Sequence, residues 1–110
     1  METMSIKSEN NWNGSIKGET PLQGYGLVDN HSWYFRARGE SWSMQIAKDK
    51  QIDRQFLPLV GLRCSGWLIK ELWGTWPDSG YMKEDEAWNL IENTIKKFRE
   101  NDLEYIHIEK

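Results

Sequence analysis

Apolar and polar positions alternate most regularly between Ser32 and Ala47, S-W-Y-F-R-A-R-G-E-S-W-S-M-Q-I-A. Two alternating runs flank Gly39-Glu40, and a two-residue loop that begins with Gly suits a type II′ hairpin turn. With that loop, Arg38 pairs with Ser41, Ala37 faces Trp42, Phe35 faces Met44 and Trp33 faces Ile46. Side chains alternate with period two, so these last six residues share one face. Tyr34, Arg36 and Arg38 share the other face with Gln45, Ser43 and Ser41. A slip of one residue would put large apolar groups in water, so the register is well specified.

The pattern on either side extends this hairpin. Pro21 to Val28 reads as a strand, and Gly24 and Gly26 inside it mark a bulge or a close approach by another backbone. Asp29-Asn30-His31 is a turn, since Asp and Asn tolerate left-handed backbone angles. Residues 1–19 are polar and read as an N-terminal arm. Asn13-Gly14 is a hairpin signal, and the alternative for this arm is an edge hairpin pinned by Trp12. Residues 20–110 then form one domain.

Lys48 to Pro58 suits one or two helical turns, with Ile52 and Phe56 facing inward at i and i+4. Gly66 to Gly74 reads as a central strand, apolar on both faces. Thr75 to Gly80 is turn-rich. A helix is expected from about Lys83 to Glu100. Ala87, Leu90, Ile91, Thr94, Ile95 and Phe98 recur at helical spacing, with acidic residues in the first turn and basic residues in the last. Leu103 to Ile108 alternates as a last strand. The expected fold is α+β: a curved antiparallel sheet, a meander plus further strands, with one C-terminal helix packed on one face and a short strand after it.

Composition narrows the function classes. The chain has 110 residues and a formal net charge of −3, which argues against general binding of nucleic-acid backbones. The one cysteine, Cys64, excludes a disulfide framework and suits a reducing cytoplasm. No apolar run approaches the ~20 residues needed to cross a bilayer, and the N-terminus lacks the apolar core of a signal peptide. Seven Trp in so short a chain serve either a core built from few residues or a binding surface.

The candidate chemistry lies on the polar side of the hairpin. Arg36 and Arg38, with Tyr34 beside them and Ser43 and Gln45 opposite, make a cradle for a phosphate or carboxylate, because a guanidinium donates two parallel bonds. The bland reading of these residues is a solvated sheet face. Trp12 and Trp76, in a polar arm and a Pro-containing loop, are the tryptophans expected near a surface and available to a partner. His31, His107 and Cys64 form no catalytic constellation, no metal-binding spacing occurs, and Gly24-x-Gly26 has no helix after it to make a phosphate loop. The sequence leans away from an enzyme and implies no cofactor and no metal.

The stretch P-L-Q-G-Y-G-L-V-D-N-H-S-W-Y-F-R-A-R-G-E-S-W-S-M, with the later G-Y-M-K-E-D-E-A-W, resembles a group of small proteins of bacteria, phages and prophages that have no assigned activity. The likeness covers about Pro21–Ala47 and Gly80–Trp88. This chain departs from the pattern at the helix start, where Lys83 stands in place of the more usual Ser or Thr. The resemblance implies a phage-type setting. With small size and acidic charge, it favours a non-catalytic interaction module that binds and inhibits a host protein, such as a defence protein. The alternative is a small-molecule binder that holds a nucleotide or other anionic ligand at Arg36 and Arg38. Homodimerisation stays open.

Overall fold

The computed structural model describes residues 4–17, 22–50, 60, 64–73 and 82–108. Three tight turns set the first half of the chain. Asn10-Asn11 joins β1 (Met4–Glu9) to β2 (Trp12–Lys17), Asp29-Asn30 joins β3 (Leu22–Val28) to β4 (His31–Arg38), and Gly39-Glu40 joins β4 to β5 (Ser41–Lys50). Asn11, Asp29, Asn30 and Gly39 all have positive φ, which Asn, Asp and Gly accept at lower cost than other residues. The chain continues through β6 (Gly66–Leu72), the helix α1 (Glu84–Arg99) and β7 (Glu104–Ile106).

All seven strands belong to one antiparallel sheet in the order β1 to β7. The sheet is not closed, and β1 and β7 are its edges. The α+β class expected from the sequence holds. So does the hairpin register, with Arg38 opposite Ser41, Phe35 opposite Met44 and Trp33 opposite Ile46. No described helix is long and apolar enough to cross a membrane.

One buried cluster joins the sheet to the helix. It contains Trp12, Ile16, Leu22, Trp33, Phe35, Trp42, Met44 and Ile46 from the strands, with Ala87, Trp88, Ile91 and Ile95 from α1. The Trp12 and Trp88 rings lie 6.1 Å apart, and Phe98 meets Trp67 edge-on at 4.8 Å. Trp33 lies against a floor of glycines. A Cβ on Gly14 would sit 2.1 Å from its Cζ2, and a Cβ on Gly26 would sit 1.9 Å from the Asn13 carbonyl oxygen. Only glycine lets β2, β3 and this indole approach so closely. The indole Nε1 donates to the Asn13 carbonyl at 3.0 Å, so burial leaves no unpaired donor.

Several expectations need correction. The polar arm is the edge hairpin that the sequence offered as its alternative, pinned by Trp12, but its turn is Asn10-Asn11 instead of Asn13-Gly14. Asn13 and Gly14 lie inside β2, where Gly14 makes room for Trp33. Few apolar residues suffice there because Trp12 and Ile16 are both buried. Lys48 to Lys50 continue β5 instead of starting a helix. The expected inward-facing Ile52 and Phe56 lie outside the described residues. At the start of α1 the backbone N–H of Lys83 donates to the Glu86 carboxylate at 3.2 Å, which caps the helix without a hydroxyl at Lys83.

Candidate functional site

Pairing places the candidate cradle on the sheet face opposite the shared core. Arg36 lies opposite Ser43 on β5, and Ser43 lies opposite Lys70 on β6. One strand position further along, Arg38 lies opposite Ser41, and Ser41 lies opposite Leu72. Directly opposed residues in an antiparallel pair share a face. Two Arg, one Lys and two Ser therefore converge. They line a shallow depression of about 270 Å³, with Trp42 at its margin.

The electrostatics of this patch are one-sided. Arg36, Arg38 and Lys70 line the depression, Lys17 lies further along the same face on β2, and no carboxylate is among the described lining residues. Glu71 falls on the opposite face by alternation, opposite Trp42. Arg38 and Lys70 are exposed and Arg36 is half-buried. The Nε atom of Arg36 is out of contact with solvent and has no hydrogen-bond partner. A desolvated cationic donor without an acceptor is costly, and an incoming anion would supply the acceptor.

The neighbouring row is built differently. Tyr34 is only 3% exposed. Its hydroxyl donates to Gln23 Oε1 at 3.0 Å, and Tyr25 donates to the same oxygen at 3.3 Å. The two rings lie 5.0 Å apart. Burial pushes the Tyr34 hydroxyl above its usual pKa, and the neighbouring Tyr25 adds to this while Arg36 opposes it. Tyr34 thus supports Arg36 from beside it and does not present a free hydroxyl to a ligand.

Gln45 is likewise committed. Its Oε1 accepts from the backbone N–H of Val60 at 3.2 Å. Val60, Cys64, Ala47 and Leu68 form a second small apolar cluster on this side. Cys64 is buried there, as expected for an unreactive thiol.

Of the residues named from sequence, the structure brings together Arg36, Arg38 and Ser43. Gln45 belongs to the second cluster, and Tyr34 stands behind the cradle. Trp12 is a correction: it is 5% exposed and packs in the core against Trp88, because the arm that carries it is a sheet strand. Trp76 lies outside the described residues. Lys70 was missed. Its strand reads as apolar on both faces, and the pairing of β6 with β5 shows which of its residues join the polar side. The alternation Leu68, Lys70, Leu72 was the available signal.

His31, expected in the turn, instead begins β4, and its side chain is held by the structure. His31 Nδ1 lies 2.9 Å from the Ala47 carbonyl, to which the protonated nitrogen donates. Its ring meets Trp67 and Phe98 edge-on.

No family model, no curated protein and no solved structure matches this chain.

Proposed function

We propose that this protein is a non-catalytic binding module that recognises an anionic group, phosphate or carboxylate, at Arg36, Arg38 and Lys70. The observation that carries the reading is the unpartnered, desolvated Nε of Arg36 within a patch of three cations and two hydroxyls. In this reading the sheet curves with α1 across its apolar face, and the polar face is left to the ligand. Arg36 and Arg38 supply forked donors, Lys70 a point charge, and Ser41 and Ser43 shorter neutral donors. The described residues of the site hold the anion through positive charge and hydrogen-bond donors.

Thermal unfolding with inorganic phosphate, pyrophosphate, citrate and nucleoside mono-, di- and triphosphates tests this. An anion that binds the native state raises Tm with concentration, and Arg36→Gln and Lys70→Gln should each remove most of that rise. A panel that leaves Tm unchanged would sink the reading.

A second reading has one observation in its favour. Leu72 is 76% exposed on the same face, opposite Ser41 and two residues along β6 from Lys70. An exposed apolar residue next to cations suits a protein partner with an acidic rim. This is the host-protein inhibitor that the phage-type resemblance implies. Leu72→Glu should abolish capture of such a partner and leave anion-induced stabilisation in place.

A further inference from the structure

We infer that the outer edge of β1 pairs with a second copy of this chain, so that two sheets join antiparallel about a two-fold axis at Ile6. The inference is independent of the anion site on the polar face. β1 is an edge of the sheet, and among the described residues no strand pairs with its outer side. Ile6, Ser8 and Glu9 on this strand are exposed. Ile6 is 71% exposed, a large apolar residue at the rim of the sheet. An open row of backbone donors and acceptors is a template for another strand.

The ladder shows which backbone groups point outward. The Asp29 N–H donates to the Asn11 carbonyl at 2.8 Å, so Asn11 turns its carbonyl toward β3. Alternate residues of a strand direct their hydrogen-bonding groups to opposite sides. Asn13 and Ser15 therefore bond to β3, and Trp12, Gly14 and Ile16 bond to β1. Their partners on β1 are Glu9, Lys7 and Ser5. The N–H and C=O groups of Met4, Ile6 and Ser8 are thus directed away from β2.

The sequence of β1 selects its own copy as the occupant. Directly opposed residues share a face, so a symmetric pair has its axis at a residue. An axis at Lys7 sets Lys7 against itself, and like charges directly opposite destabilise a pair. An axis at Ser5 leaves Ser8 beyond the end of the partner strand. An axis at Ile6 opposes Ile6 to Ile6, Met4 to Ser8 and Lys7 to Ser5. It uses every outward-directed backbone group of the strand and covers the exposed Ile6 with itself. A lysine on an edge ordinarily deters such pairing, but Lys7 is drawn back over α1. Its Nζ lies 3.1 Å from Glu92 Oε1 and 5.6 Å from the centre of the Trp88 ring. Two Lys7–Glu92 pairs flank the axis, and their charges cancel. The opposite edge of the sheet suits β1 less well. β7 has three residues against six in β1, so a head-to-tail contact would pair half of β1 and would not close.

The test is sedimentation velocity of the full chain over a concentration series, with Ile6→Lys, Ile6→Pro and Ile6→Cys beside wild type. Wild type should pass from monomer to dimer as concentration rises. Ile6→Lys sets two cations together at the axis and should raise the dimer Kd at least about 10-fold. Ile6→Pro removes an N–H that β2 does not use, a place where an edge strand tolerates Pro. It should raise Kd by roughly 10- to 100-fold and leave the circular dichroism spectrum that of wild type. Ile6→Cys should give a disulfide-linked dimer on mild oxidation, since opposed hydrogen-bonded Cα atoms lie about 5.5 Å apart. The native Cys64 is buried. A chain that stays monomeric at every concentration overturns the inference, and so does a dimer that Ile6→Lys and Ile6→Pro leave intact. Growth beyond the dimer would mean a head-to-tail contact and would also overturn it. Stabilisation by pyrophosphate should be the same in Ile6→Lys as in wild type, so the edge contact and the anion site can each fail alone.

Discussion

The two faces of one sheet spend their side chains in opposite ways. The apolar face joins Trp12, Ile16, Trp33, Phe35, Trp42 and Met44 to the α1 residues Trp88, Ile91 and Ile95 in a shared core. Its polar groups are paired: the Trp33 indole reaches Asn13, and His31 reaches Ala47. The polar face carries four cations on β2 to β6 and leaves Arg36 Nε unsatisfied. The first face stabilises the fold. The second leaves a desolvated cationic donor unpaired at Arg36 and gathers cations around it, which is what the proposed anion site requires. The comparison can be tested by substituting on each face and reading stability and binding separately.

The largest effect is expected on the apolar face. Trp33→Ala removes an indole with no exposed surface and should cost about 3–5 kcal/mol of unfolding free energy, measured by chemical denaturation. A loss below about 1 kcal/mol would mean that the glycine floor closes over the gap, and the two faces would differ less than stated.

Tyr34 sits on the polar face yet is built like a core residue, and it sharpens the boundary. Its hydroxyl pKa lies above the ordinary value because the phenolate is desolvated. Above pH ~10 the unfolded chain gives up this proton before the native state does. The native state then binds more protons than the unfolded state, so stability falls as pH rises. Tyr34→Phe should flatten that alkaline loss in a series of Tm measurements. At neutral pH it should cost about 1 kcal/mol for the lost bond to Gln23.

A smaller effect belongs to the contact between α1 and the turns. Arg99 donates to both Asp29 carboxylate oxygens, at 3.0 and 3.2 Å, and to the Asn10 carbonyl. The pair is more than a third exposed on the Asp29 side, so solvent screens it. Arg99→Ala should cost about 1 kcal/mol or less, with part of the loss removed by added salt.

The smallest stability change should come from Arg36→Met. The substitution removes a desolvated donor that has no partner, so the unfolding free energy should change by no more than about 0.5 kcal/mol or rise, while anion binding is lost. A large drop in Tm would show that Arg36 holds the fold, and the division between the faces would fail at its central residue.

Much of the fold was legible because its signals are local. Gly39-Glu40 and Asp29-Asn30 are turns whose chemistry lies in adjacent residues, and alternation over Ser32–Ala47 admits one register. The helix was legible from its period and its charged ends. The N-terminal hairpin was legible only as the alternative to a loose arm, and its turn was misplaced. Its few apolar residues gain their worth from Trp88 and Trp33, which are distant in sequence. Trp12 was therefore placed at the surface when it belongs to the core.

For the site, the chain by itself determined that Arg36, Arg38, Ser41 and Ser43 share a face, since hairpin pairing follows from period two and a two-residue turn. It also determined a net charge of −3. Only the tertiary structure decided that Lys70 and Lys17 join that face, because β6 and β2 reach it through pairings that no adjacent pair of residues encodes. Net charge is a sum over the whole chain and says nothing of direction. Strand pairing turned a mildly acidic sequence into a sheet with one cationic side.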